Sequence, residues 1–267
     1  MTESVMVHAD VGTYPPLNTL KPVAQDVWIV DGPLIRFGLP FWTFPFPTRM
    51  TVVRLAGGDL FVHSPTPCTP ALQAKIAAIG RPRYLIGPNR IHYWWIPDWH
   101  AAYPDAEVFL APRIKAQSKG RIAFDFHLLD RAEGYPWEGE ITTLIVPGRY
   151  MSEAEFFHHG SRTLILTDLI ENFETQKLGS RVLRFLTWLD GLRDPDGQMP
   201  RDLRLTFDKI TLRGAVEAMI ALAPERVIIA HGRWYDANGT EELKRAFRWL
   251  LDKPNGAAPQ TPGLAPD

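Results

Sequence analysis

The alternation of apolar and polar positions divides the chain into two strand-rich stretches and a helical last third. Asp26-Val-Trp-Ile-Val-Asp31 alternates and is expected to stop at Gly32-Pro33. Met50–Leu55 and Leu60–His63 flank Ala56-Gly57-Gly58-Asp59, the pattern of a β-hairpin. Leu72, Ile76 and Ile79 recur at helical spacing, which predicts a helix over Cys68–Ile79. Short strands follow at Arg83–Ile86, broken by Gly87-Pro88-Asn89, and at Glu107–Ala111, with a short helix over Trp99–Tyr103 between them. Ile141–Val146 ends at Pro147-Gly148, and Glu155–His158 and Thr163–Thr167 flank a second hairpin turn at His159-Gly160-Ser161-Arg162. Leu183, Phe185, Leu186 and Leu189 mark one helix and Leu212–Leu222 a second. Arg226–Ala230 reads as a buried strand and Glu241–Leu251 as the closing helix. Hairpins in both halves with helices outside predict an α/β protein, a four-layer αββα sandwich. No linker interrupts the pattern, so a single domain is expected over residues 1–254, with a disordered Pro/Gly/Ala-rich tail at 255–267.

Composition narrows the function classes. With 45% hydrophobic and 22% charged residues, the 267-residue chain has the apolar surface to order itself. Basic and acidic residues number 29 and 30, so there is no basic footprint and no nucleic-acid partner is expected. The single cysteine, Cys68, excludes an intrachain disulfide and a thiolate-rich zinc or iron–sulfur site. The first residues lack the basic and apolar regions of a signal peptide, and no apolar stretch reaches the ~18 residues of a membrane span. A cytoplasmic protein with no membrane partner is the expectation.

Three polar residues follow directly on buried-looking strands: His92 after Tyr84–Ile86, Asp168 after Thr163–Thr167, and His231 after Val227–Ala230. Strand C-termini open onto the rim where α/β layers place functional side chains. Two imidazoles and one carboxylate suit a metal ion with positions left for water or substrate. A strand-end Asp is also a common turn former and a His before Gly is often structural, so the spacing leaves both readings open. Ser64 has no nucleophile elbow around it, and no Gly-x-Gly-x-x-Gly or Walker loop occurs, which removes serine-hydrolase and nucleotide-fold readings. The clusters Phe41–Phe46 and Tyr93-Trp94-Trp95 are either packing for Pro-rich loops or an apolar wall beside the rim. Of the remaining candidates, Glu153 or Glu155 can reach the rim as a further ligand or base, Glu153 being favoured. His158 and His159 belong to the hairpin turn and are expected to be exposed, His100 to a helix surface, and His63 to the core with a backbone hydrogen bond.

The sequence resembles the metallo-β-lactamase-fold superfamily, and more closely a branch of it known as a domain of unknown function. The resemblance rests on Trp28–Gly32, Pro47–Leu55, His63-Ser64-Pro65, Gly87–His92, Ser161–Asp168 and Ile229–Gly232, and spans about residues 15–252. It implies the αββα fold and a metal-dependent hydrolase ancestry. The superfamily motif His-x-His-x-Asp-His aligns with Gly87, Asn89, Ile91 and His92, and the histidine after a Pro-Gly break aligns with Arg149. The bridging Asp matches Asp168 and the final His matches His231. One metal position has therefore lost its histidines, and the resemblance implies at most one divalent metal, zinc or iron, held by His92, Asp168 and His231. Arg149 is expected to point into the pocket, pair with Asp168 and act with it on a substrate anion. Asn89, Trp94 and Trp95 are the further expected substrate contacts. The readings carried forward are a hydrolase of a small ester, lactone, thioester or phosphoester, a metal-free descendant that binds a small molecule or protein, and a non-haem iron redox protein.

Overall fold

The computed structural model describes residues 12–39 and 42–252, with the side chains of 37–43 outside the description. Phe41 and the segment 255–267 expected as a tail fall outside the described residues.

The first sheet has seven strands in the order β1 (Lys21–Ala24), β2 (Val27–Leu39), β3 (Trp42–Arg54), β4 (Asp59–His63), β5 (Arg81–Gly87), β6 (Glu107–Leu110) and β7 (His127–Leu128). The Gly-Gly hairpin is present, with Arg54 opposite Leu60. From β4 onward the strands are parallel, joined through helices α1 (Pro70–Ala77), α2 (Ile96–Ala102) and α3 (Ile114–Gln117). α1 starts where sequence chemistry places it: Pro70 stands in the first turn and the Thr69 hydroxyl accepts from Leu72 N–H at 3.3 Å.

β2 does not stop at Gly32-Pro33, as the alternation predicts. It continues through a register shift between Asp31 and Leu34 and pairs with β3 out to Leu39 opposite Trp42. Gly32 makes this passage possible, because a Cβ there would lie 2.4 Å from Thr48 Oγ1. Pro45 and Pro47 are tolerated in β3 because β4 pairs only with Thr51–Arg54, so the prolines face no second ladder.

The second sheet has four strands, in the order β12 (Arg226–Ile228), β10 (Thr163–Ile165), β9 (Glu153–His158) and β8 (Ile141–Val146), of which β8 to β10 form the predicted meander. After β10 the chain makes β11 (Glu171–Asn172), α4 (Arg181–Asp190), α5 (Arg201–Arg204) and α6 (Lys209–Ala221). It then returns as β12 (Arg226–Ile228), parallel to β10, and ends in β13 (His231–Gly232), α7 (Gly239–Ala246) and α8 (Arg248–Leu251). The closing helix is thus two short helices that meet at Phe247. β11 and β13 form a separate two-stranded pair.

Three apolar layers define the sandwich. Between the sheets, Val27, Ile29, Phe61 and Ile86 meet Ile141, Phe156, Ile165 and Ile228. Outside the first sheet, Val52, Val62 and Leu85 pack on Leu72, Ile76, Ile96 and Trp99. Outside the second, Phe157, Leu164 and Val227 pack on Leu212, Val216, Leu243 and Leu250. The αββα order follows from these layers, because each sheet buries one face on the other sheet and one on helices. α4 departs from this scheme: its Val182, Phe185, Trp188 and Leu189 are exposed. No helix among the described residues is long and apolar enough to cross a membrane.

Candidate metal centre

The site is built at one end of the sandwich, where β5, β10 and β12 run out. Beyond β10 the chain turns, and the backbone N–H groups of Thr167, Asp168 and Leu169 donate to one oxygen of Glu153, at 3.0, 2.8 and 3.2 Å. The other Glu153 oxygen accepts from Asn89 Nδ2 at 2.8 Å. The same amide nitrogen donates to Asp168 Oδ2 at 2.6 Å, and Asn89 Oδ1 accepts from the N–H groups of Ile91 and His92 at 2.9 and 3.1 Å. Asn89 therefore fixes two things together, the turn that presents His92 and the carboxylate of Asp168.

His92 and His231 converge on that carboxylate. His92 Nε2 lies 3.3 Å from Asp168 Oδ2, His231 Nε2 lies 3.1 Å from Asp168 Oδ1, and the two Nε2 atoms are 3.3 Å apart. All three residues are buried. His231 Nδ1 donates to the Pro47 carbonyl at 2.7 Å, which fixes the ring and turns its Nε2 toward Asp168. His92 Nδ1 lies 2.8 Å from Ser64 Oγ. Arg49 holds the His231 turn from beneath: it bonds the carbonyls of Ile229 and Gly232 at 2.7 and 2.9 Å and pairs with Asp31 at 2.8 Å. Gly232 is required there, since its φ is +97° and a Cβ would lie 2.0 Å from Asn172 O.

Burial opposes ionisation of Asp168, but the charges and hydrogen bonds of His92 and His231 outweigh it and hold the carboxyl well below its usual range. Burial likewise disfavours the His92 imidazolium, and Asp168 outweighs it, so the His92 pKa is raised. His63 has no such partner: burial and then the charge of His92 push it down to about 3. Glu155 is raised well above the carboxylate range, by burial first and then by the neighbouring charge of Glu153. Neither Glu155 oxygen meets a hydrogen-bond partner among the described residues. Glu171 is pushed up to about 8, mainly by burial.

A cavity of about 620 Å³ opens beside His92, Asp168 and His231. Its apolar wall is Ile35, Phe44, Phe46, Ile91, Leu192 and Leu203, supplied by the β2–β3 extension, the loop after β5 and the α4–α5 segment. Phe46 also packs edge-on against the His231 ring, with centroids 5.3 Å apart.

Several expectations need correction. Arg149 is exposed and forms no ion pair with Asp168; its backbone N–H bonds Thr206 O and its charge acts on Asp208 instead. Asn89 is fully buried and does not line the cavity, because its amide is spent on Glu153 and Asp168. Trp94 and Trp95 do not line it either: Trp94 stacks on Tyr93 and Trp95 packs into the helix layer outside the first sheet. Glu153 does not reach the rim, being fully buried in the turn beneath Asp168. His158 is buried rather than exposed, its Nδ1 2.8 Å from Ser161 Oγ, whereas His159 is exposed as expected. His63 lacks the expected partner at Nε2 among the described residues, and His100 stacks on Phe124. Sequence reasoning gave no role to Arg49 or Glu171, since nothing local marks a side chain whose partners lie far along the chain.

The family described as domain of unknown function DUF4336 matches residues 36–184. No curated protein matches the chain in sequence. Among solved structures, the DIM-1 metallo-β-lactamase exposed to ceftazidime aligns at TM-score 0.57 and 12% identity, covering 86% of this chain and 96% of its own. The mono-zinc form of the FIM-1 metallo-β-lactamase from Pseudomonas aeruginosa aligns at 0.57 and 12%, covering 91% and 97%. The metal-soaked Flv1 flavodiiron core from Synechocystis sp. aligns at 0.56 and 12%, covering 88% of this chain and 60% of that one.

Proposed function

The chain belongs to the DUF4336 family and has the metallo-β-lactamase fold, and from that premise we propose that it is a mononuclear metal-dependent hydrolase whose ion is held by His92, Asp168 and His231. The observation that carries this reading is the mutual spacing of their donor atoms. Ligands ~2.1 Å from one ion at a tetrahedral angle stand roughly 3.4 Å apart. Here the two Nε2 atoms are 3.3 Å apart, each lies 3.1 or 3.3 Å from an oxygen of the Asp168 carboxylate, and one donor atom from each of the three residues falls within 4.8 Å of the other two, with His231 Nε2 turned inward by the bond from Nδ1 to the Pro47 carbonyl. The residues fit one ion. They do not fit two, because Gly87, Asn89 and Arg149 offer no imidazole to a second.

When bound, a divalent ion at such a site polarises a carbonyl and lowers the pKa of water toward ~7. The chain's own residues do the rest. Asn89 and the Glu153-held turn fix the direction of the Asp168 carboxylate, and Ser64 fixes the His92 ring. The walls of Phe44, Phe46 and Leu203 exclude bulk water and hold the apolar part of a small ester, lactone or thioester beside the carboxylate.

Zinc and iron(II) titration of the chelator-stripped protein tests the reading, followed by a screen of uncharged esters, lactones and thioesters. One equivalent of ion, lost in His231→Ala and Asp168→Asn, together with hydrolysis that depends on it, is the expected result. Full folding with no ion taken up supports a metal-free binding protein instead and overturns the proposal.

A further inference from the structure

The cavity beside the three proposed ligands contains a buried acid that the hydrolase reading does not use. Glu171 on β11, the ladder partner of His231, is only 7% exposed, it lines the cavity, and its carboxyl makes no hydrogen bond with any described residue, the His231 ring being the charge that favours its anion. Asp190 and Asp202 line the same cavity and add their charges to its field. Asp190 is engaged by Arg201, whose backbone N–H it accepts at 3.3 Å and whose guanidinium it pairs with at 3.8 Å, and among the described residues the Asp202 carboxyl accepts only the adjacent Leu203 N–H, at 2.8 Å. Among the described residues, no lysine or arginine lines the cavity. Arg201, next to Asp202 in sequence, is paired with Asp190 at 3.8 Å, and Arg204 is committed to Met199 O, Gln198 Oε1 and the Trp249 ring, so neither reaches Glu171 as a partner.

We propose that this cavity binds a molecule with an apolar body and one cationic amine, the ammonium meeting the Glu171 carboxyl and the apolar part lying against Phe44, Phe46 and Leu203. A buried carboxyl without a partner is costly as an anion, and a cation delivered to it removes that cost. The acids Glu171 and Asp202, with no lysine or arginine lining the cavity among the described residues, disfavour phosphate and carboxylate ligands for the same reason. The proposal rests on the reading of this cavity as the substrate site, and it narrows the substrate to amine-bearing apolar compounds.

The test is calorimetric binding of three probes of one shape, phenylbutylamine, phenylbutanol and phenylbutyrate, to both the chelator-stripped and the zinc-loaded protein. The amine is expected to bind about tenfold or more tightly than the alcohol, as a charged hydrogen bond gives, and the acid most weakly. Glu171→Gln should bring the amine to the affinity of the alcohol while leaving zinc affinity unchanged. Asp202→Asn, at an exposed position, should weaken the amine by about two- to fivefold. Equal or tighter binding of phenylbutyrate, or no binding of any probe, overturns the proposal. So does a Glu171→Gln variant that loses zinc affinity but keeps the amine preference, since Glu171 would then serve the ion. Amine selectivity in a protein that takes up no zinc would leave this inference standing and remove the hydrolase reading alone.

Discussion

The side-chain amide of Asn89 donates to Asp168 Oδ2 at 2.6 Å, on the carboxylate that both site histidines also face. A neutral amide thus stands where the superfamily resemblance implies a histidine. It gives Asp168 the donor that Arg149 was expected to supply, and it simultaneously bridges to Glu153. Asn89→Asp would place a third carboxyl against two buried ones. A loss of about 3–5 kcal/mol in denaturant unfolding is expected, as for a buried charge left without its partner. A loss below about 1 kcal/mol would show that the amide is not what balances the pair.

Proton competition should govern ion binding. The His92 pKa is raised, so without an ion its ring keeps a proton to higher pH than a free imidazole does. Ion affinity is therefore expected to climb as pH rises through that pKa and then level off, with protons released on binding. Zinc titrations across about pH 6 to 8 measure this, and an affinity flat over that range would contradict it.

His63 should contribute a distinct acid sensitivity. Its folded pKa is down at about 3, against 6.5 for the unperturbed side chain. Below pH 6.5 the unfolded chain binds a proton that the folded one refuses, so this group's stability contribution is present above that pH and is lost as pH falls toward 3. The slope is at most about 1.4 kcal/mol per pH unit. His63→Leu should flatten the acid limb of the melting-temperature profile relative to the unsubstituted protein, measured without metal.

Two arginines should behave oppositely. Arg49 is buried among Asp31 and the carbonyls of Ile229 and Gly232, so Arg49→Met is expected to cost about 3–5 kcal/mol and to weaken ion binding by freeing the His231 turn. Arg149 is exposed, so Arg149→Met should change stability by no more than about 0.5 kcal/mol and leave ion binding as it was. Chemical unfolding and zinc titration of both variants measure the contrast.

The sequence by itself determined the layers and the placement of three residues. The period-two runs and helical spacings report local burial, and strand ends are legible because a strand stops where its apolar alternation stops. That is why the αββα order, the two hairpins and the positions of His92, Asp168 and His231 at strand ends were readable from residues alone. Only the tertiary structure decided what surrounds them. Arg49 bonds a carbonyl 180 residues away, and Glu153 gathers N–H groups from the turn at 167–169, partners that no local pattern encodes. The direction of Arg149 was set by the backbone bond to Thr206, and the cavity wall by a β2–β3 extension that passes through Gly32-Pro33. A side chain's residue type limits which partners suit it, but which of them comes within reach is fixed by how distant segments pack, and that packing is decided by the whole core at once.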